Sequence, residues 1–159
     1  MQIRLAQTED IDRWMEFVTK IKAVFPGLET QAALLEHQST VLHFIEDCSA
    51  ICAIDGMKLV GALLFSAETN TLCFLAVDSL YRRQHIEQNM VFSMLERMDN
   101  MKDITVTTYR EGDSNGIAAR AFYKSLGFCE GSLTEEFGSS VQQFVLKREA
   151  ATGAGFESA

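Results

Sequence analysis

Two segments place side chains where they could do chemistry. In NGIAARAFYKSLGF, Asn115 to Phe128, helical spacing presents Tyr123 one turn before Gly127, a residue suited to end a helix. A tyrosine phenol can hand its proton to a leaving thiolate. In AVDSLYRRQHIEQNM, Ala76 to Met90, a strand runs into a short loop carrying Arg82 and Arg83 and then into a helix start. The first N–H groups of a helix have no intrahelical partners and lie at the positive end of its dipole, so this junction can hold a pyrophosphate. The two arginines would add charge-assisted bonds. Taken singly, each feature also has a plainer reading: Arg82 and Arg83 as solvated surface charges, Tyr123 as a core or surface aromatic.

The elements around these segments follow from hydrophobic period. Ile3 to Ala6 reads as a short strand. Thr8 is placed to cap a helix opened by Glu9 and Asp10, with Ile11, Trp14, Met15, Val18 and Ile21 on its apolar face. Phe25-Pro26-Gly27 should break that helix, and a second is expected from Thr30 to Glu46 with Leu34, Val41, Leu42 and Ile45 inward. The period then shortens to two. Strands are expected over Ser49–Ile54, Lys58–Ala67 and Leu72–Val77, the first two joined by a hairpin turn at Asp55-Gly56 whose central residues need positive φ. A long helix from about Ile86 to Met101 carries Ile86, Met90, Val91, Met94, Leu95 and Met98 on one face, a core stripe. Ile104–Tyr109 is a β-branched strand, the helix bearing Tyr123 follows, and strands beginning at Phe128 and Val141 close the chain. The order β-α-α-β-β-β-α-β-α-β-β predicts an α/β (α+β) fold, a mixed sheet of about seven strands flanked by about four helices. The last strand, from Gln142, is expected at a sheet edge, which invites pairing into a homodimer.

Together and in this order, the two segments resemble the GNAT superfamily of acyl-CoA-dependent N-acyltransferases. LAVDSLYRRQHIEQNM is similar to that family's signature of a strand followed by R/Q-x-x-G-x-G/A opening a helix, and AAxAFYKSLGF resembles its later A-x-x-LY-x-x-x-GF helix. The resemblance covers roughly Ile3 to Arg148. It implies a mostly antiparallel central sheet in which Leu72–Val77 and Ile104–Tyr109 splay apart. It implies acetyl-CoA as acyl donor, its pantetheine arm on the backbone of Leu75, Ala76 and Val77. The pyrophosphate would lie on Arg82, Arg83, Gln84, His85, Ile86, Glu87 and Gln88. It implies that Tyr123 points at the thioester sulfur and that Asn115 contacts the cofactor, although Asn115 stands one position early, with Gly116 in the family's Asn place. The glycines of the signature fall on His85 and Glu87. Glycine lets backbone approach phosphate, and a carboxylate in the first helical turn competes for the phosphate's place. The family also implies that dimers are frequent.

The acceptor implied is an amine on a small molecule or peptide. No general base is evident: Leu72–Val77 contains no carboxylate, and Glu111 and Glu29 are loop acids that could face an acceptor or simply the solvent. An alternative reading on the same fold is a non-catalytic acyl-CoA or small-ligand binding module, favoured by His85 and Glu87 at the glycine positions. Bulk properties fit either. The chain has 159 residues, 23% of them charged, and a net charge of −8, which argues against nucleic acid or an anionic membrane as partner. The longest apolar run, Leu59 to Phe65, is too short to span a bilayer, and the N-terminal acids are not those of a signal peptide. Four cysteines without CxxC spacing and three histidines suggest no metal site, and read as reduced, mostly buried thiols of a cytoplasmic protein. Residues 1–149 are expected to form one domain, with 150–159 a disordered tail.

Overall fold

The structure is a computed structural model, which describes residues 1–22, 27–136 and 138–148. The tail expected at 150–159, and the break expected at Phe25-Pro26, lie outside the described residues. Seven strands form one mixed sheet in the order β1-β2-β3-β4-β5-β7-β6. These are β1 (Gln2–Leu5), β2 (Ala50–Asp55), β3 (Lys58–Ser66), β4 (Thr71–Val77), β5 (Ile104–Tyr109), β6 (Cys129–Glu136) and β7 (Ser139–Leu146). Four helices accompany them: α1 (Ile11–Ile21), α2 (Gln31–Glu46), α3 (Ile86–Leu95) and α4 (Ile117–Ser125). The described residues form two compact units, those within Met1–Ala67 and Cys73–Arg97, and those within Glu68–Leu72 and from Met98 to Arg148.

In the first unit β1 and β3 pair antiparallel with β2 on either side. Trp14, Phe17 and Val18 of α1 are buried with Leu34 and Val41 of α2 and with Cys52, Ile54, Leu59, Ala62 and Leu64 of the sheet. The periodicity identified Trp14 and Val18; Phe17 joins them between those two positions. Thr30 caps α2, its Oγ1 accepting from the Ala33 N–H at 3.0 Å. The cap of α1 differs from expectation. Thr8–Asp10 is a separate short helical turn preceding α1, and Gln7, not Thr8, stands before it. The reason is Asp10: its carboxylate is 1% exposed and accepts from Arg4 (2.7 and 3.0 Å), Arg13 (2.7 Å) and the Gln7 N–H (2.7 Å). The hairpin register, Asp55↔Lys58, puts Gly56 and Met57 in the turn, and only Gly56 has positive φ (63°), so the turn is displaced by one residue from the expected Asp55-Gly56. A Cβ on Gly61 would stand 3.0 Å from Met90 Cε, 3.2 Å from Ala53 Cβ and 3.4 Å from Ile86 Cγ2, so glycine there lets the start of α3 sit close on β3.

In the second unit β7 pairs antiparallel with β5 on one side and β6 on the other. The last strand is therefore interior, and β6 is the edge, contrary to the expectation from chain order. All eight residues of β6 are exposed, and a bulge lies between Glu130 and Leu133. Bulges and acidic side chains discourage edge pairing. Parallel pairing of β4 with β5 is confined to Thr71↔Thr105 and Leu72↔Val106, so these strands are not paired along their whole length. Asn70, 3% exposed, reaches the Asp99 and Lys102 carbonyls (3.2 Å each), while Asp99 Oδ1 accepts from the Met101 N–H (2.8 Å). The bond to Asp99 takes the Met101 N–H away from the Arg97 carbonyl it would meet in a longer helix, and α3 ends at Leu95 rather than Met101. Of the four free cysteines only Cys52 is buried; Cys48, Cys73 and Cys129 are exposed, which corrects the expectation of mostly buried thiols. Among the described residues no helix is long and apolar enough to cross a membrane, and no cluster of three His, Cys, Asp or Glu could hold a metal.

Candidate functional site

The junction after β4 is built by Asp78. Its N–H donates to the Val60 carbonyl (2.8 Å), and its Oδ1 accepts from the Leu80 N–H (2.9 Å), starting a short helical turn, Ser79–Tyr81. Lys20 and Lys58 each place Nζ 3.6 Å from the other oxygen. The Leu80 N–H, followed by these lysines, holds the carboxyl below its ordinary range despite burial. Tyr81 donates to Asp55 Oδ2 at 2.7 Å, pinning the turn to the end of β2. Neither Asp78 nor Tyr81 stood out as functional in the sequence, although an acid at a strand's end before a polar turn is a recognisable capping signal.

Beyond Tyr81 the chain exposes Arg82, Arg83, Gln84 and His85. Arg83 (φ 66°) and His85 (φ 60°) both adopt left-handed backbone, a conformation that disfavours side chains by roughly 1–2 kcal/mol. At His85, therefore, the backbone keeps the conformation a glycine would take without strain. Its carbonyl accepts the first intrahelical bond, from the Asn89 N–H at 3.0 Å, which leaves the N–H groups of Ile86, Glu87 and Gln88 outside the helical ladder. Ile86 is buried at 3% exposure and anchors this end of α3. Glu87 is half-buried in the first turn; burial raises its pKa and the charge of Arg82 opposes that shift. Three backbone donors and two exposed arginines suit a pyrophosphate, and Glu87 is the one group of opposing sign in that turn. Leu75 is half-buried, and Ala76 and Val77 are buried, on β4.

The second unit carries the other residues. Tyr123 on α4 is 6% exposed, its ring 5.4 Å from Phe122, 5.5 Å from Phe128 and 6.2 Å from Phe144. Its carbonyl accepts from the Leu126 (3.1 Å) and Phe128 (3.0 Å) N–H groups, and Gly127 has φ 97°, so the helix ends where its glycine predicted. Asn115 is exposed on a short turn, its N–H bonded to Asp113 Oδ1 at 3.0 Å. Gly116 explains the one-residue offset. A Cβ there would stand 2.5 Å from Tyr109 Cβ, so this position excludes any side chain. Gly116→Asn, moving the asparagine to the family place, should destabilise the chain by about 1–3 kcal/mol; a chemical-denaturation midpoint equal to that of the parent would contradict the clash. Of the two loop acids, Glu111 is exposed, and Glu29 is occupied by the Gly27 N–H, which lies 3.1 Å from each oxygen.

The class follows from fold and family together. Solved structures of the same fold include an N-acetyltransferase from Staphylococcus aureus Mu50 (TM-score 0.72, 15% identity, covering 92% of this chain and all, 100%, of that one). They include a ribosomal-protein-alanine N-acetyltransferase from Brucella melitensis (TM-score 0.70, 16% identity, 91% and 98% covered). A PaiA N-acetyltransferase from Thermoplasma acidophilum, solved in complex with coenzyme A, is also similar (TM-score 0.63, 17% identity, 92% and 98% covered). At these identities the likeness concerns the fold. No curated protein sequence matches the chain. The model of the acetyltransferase (GNAT) family matches residues 13–128, and the chain belongs to that family.

Proposed function

We propose that this chain transfers an acetyl group from acetyl-CoA to an amine by direct attack. The observation that carries the reading is the start of α3: three N–H groups free of the ladder, Arg82 and Arg83 exposed beside them, and left-handed backbone at His85. Arg82 and Arg83 with the backbone of Gln84, His85, Ile86, Glu87 and Gln88 would hold the pyrophosphate. The backbone of Leu75, Ala76 and Val77, beyond the last β4–β5 pair, would take the pantetheine arm as an added strand, and Asn115 is a further contact carried over from the family. Acetyl-CoA supplies an activated thioester carbonyl. The amine nitrogen forms the new C–N bond as the C–S bond breaks; the amine gives a proton to water, and the phenol of Tyr123 protonates the departing sulfur. The acceptor is a small-molecule or peptide amine, and the setting we favour is cytoplasmic, with residues 1–149 as the domain; a homodimer is carried over from the family alone, since the exposed, bulged β6 edge discourages strand pairing.

Glu87 bears on the second reading, binding without transfer. Its half-buried carboxylate lies in the turn where phosphate would bind and partly neutralises the dipole there. Coenzyme A should nevertheless bind the parent chain, and Glu87→Gly should tighten binding, by about 3-fold or more if the carboxylate opposes phosphate with the ~0.7 kcal/mol usual at a helix end. Calorimetric titration of both proteins with coenzyme A at one ionic strength measures this. Absence of binding to either would sink acyl transfer and the binding-module reading alike; equal affinities would show that Glu87 faces away from the phosphates. Release of thiol from acetyl-CoA in the presence of amines separates transfer from mere binding.

A further inference from the structure

Arg120 is the most deeply buried cation of the second unit, at 7% exposure. From α4 it donates to the Tyr109 carbonyl at the end of β5 (2.9 Å), to Gln142 Oε1 on β7 (2.7 Å) and to Glu130 on β6. Its guanidinium carbon lies 4.9 Å from the centre of the Phe144 ring. Gln142, itself 8% exposed, passes the connection on by donating to the Gly131 carbonyl (3.1 Å), and Glu130 is also approached by Lys124 Nζ (3.4 Å). One side chain therefore ties α4 to three strands.

Packing alone does not call for a cation here. Burying a guanidinium is costly, and well-packed apolar residues commonly serve as well or better for stability. What a planar fork adds is direction: its donors meet their partners at one orientation of the helix and no other. Arg120 lies three residues before Tyr123, on the same helical face, and both rest on Phe144, Tyr123 with its ring 6.2 Å away. A small rotation or slide of α4 would break the Arg120 bonds and move the phenol together.

We infer that Arg120 is a positioning residue for acyl transfer, fixing α4 on β5, β7 and β6 so that the Tyr123 phenol is held in one place. This rests on Tyr123 acting as the acid. Lysine keeps the charge and loses the fork, so Arg120→Lys is the informative change. The readout is thiol release from acetyl-CoA with spermidine, a lysine-containing peptide and an alanine-initiated peptide as acceptors, alongside calorimetric affinity for coenzyme A. Arg120→Lys should lower kcat by about 10-fold or more, since misplacement of a reacting group by about 1 Å can cost about 100-fold, and leave coenzyme A affinity within about twofold. In a Tyr123→Phe background the same change should lower kcat by less than about twofold, because no phenol remains to be placed. Equal losses in the two backgrounds, or an unchanged kcat, would overturn the inference. Should Arg120→Lys fail to fold by circular dichroism, Glu130→Gln, a change at an exposed partner, is read in the same cycle, with a non-additive loss of about 3-fold expected and additivity or no loss overturning. A parent chain that releases no thiol with any acceptor removes the acyl-transfer reading and the inference with it; an active parent with an additive cycle removes the inference alone.

Discussion

Tyr123→Phe should lower kcat by about 10²–10⁴-fold, the usual contribution of a positioned general acid, with little change in coenzyme A affinity. The substitution keeps the ring, and the ring is what Phe122, Phe128 and Phe144 touch. Folding stability should therefore fall by no more than about 1 kcal/mol, the net worth of a typical hydrogen bond. Thiol release from acetyl-CoA gives the first quantity and thermal unfolding the second. A kcat within about threefold of the parent, with an acceptor known to be used, would remove the phenol from the mechanism. Loss of both kcat and thermal stability would mean instead that the hydroxyl serves the aromatic cluster. Because the ring is 6% exposed, a hydrogen bond from the phenol to the departing sulfur would be made in a largely desolvated position, where such a bond is electrostatically stronger than at the surface.

The largest effect on stability is expected at Asp10. Its carboxylate takes four bonds from Arg4, Arg13 and the Gln7 N–H. The bond from Arg4, then the Gln7 N–H and the two arginine charges, hold its pKa at about 2 against an ordinary 3.8, although burial pushes the other way. The folded-state pKa is depressed, so its contribution is fully present above pH 3.8 and is lost as pH falls from there through about 2. That difference corresponds to about 2 kcal/mol. Removing the charge outright with Asp10→Asn also leaves Arg4 and Arg13 unpaired. That should cost about 3 kcal/mol, the lower end for a broken buried ion pair because both arginines keep some solvent access, 25% and 33% of their side chains. Urea denaturation of parent and variant at neutral pH and at pH 3 tests both parts. The gap between them should narrow in acid; a constant gap, or one below about 1 kcal/mol at neutral pH, would contradict the assignment.

Local features were legible in the sequence to the extent that they depend on local spacing. The strands, the four helices and the Gly127 stop all follow from period and capping chemistry. What eluded it depends on partners distant in the chain. The segment after α3 is held by Asn70, which lies 29 residues from Asp99 and 32 from Lys102. The interior position of β7 is a matter of strand order, which no stretch of the last strand encodes by itself. Nothing local marks Arg120, because Tyr109, Glu130 and Gln142 come from three other elements. Departures from the family signature were visible, but their meaning was not. His85 retains a glycine-like backbone, and Gly116 is compelled by the Cβ of Tyr109.

The chain holds a single tryptophan, Trp14, and it is wholly buried in the first unit with its indole N–H bonded to His37 Nε2 at 3.2 Å. That bond fixes the proton of His37 on Nδ1, and burial lowers the imidazole pKa, so the partner of the indole is neutral near neutral pH. Tryptophan emission is therefore an optical reporter for one unit alone, while Tyr109 and Tyr123 belong to the other. Denaturation followed simultaneously by indole emission and by far-ultraviolet circular dichroism distinguishes one cooperative melt from two: coincident curves describe a single folding unit, and separated ones describe halves that unfold independently.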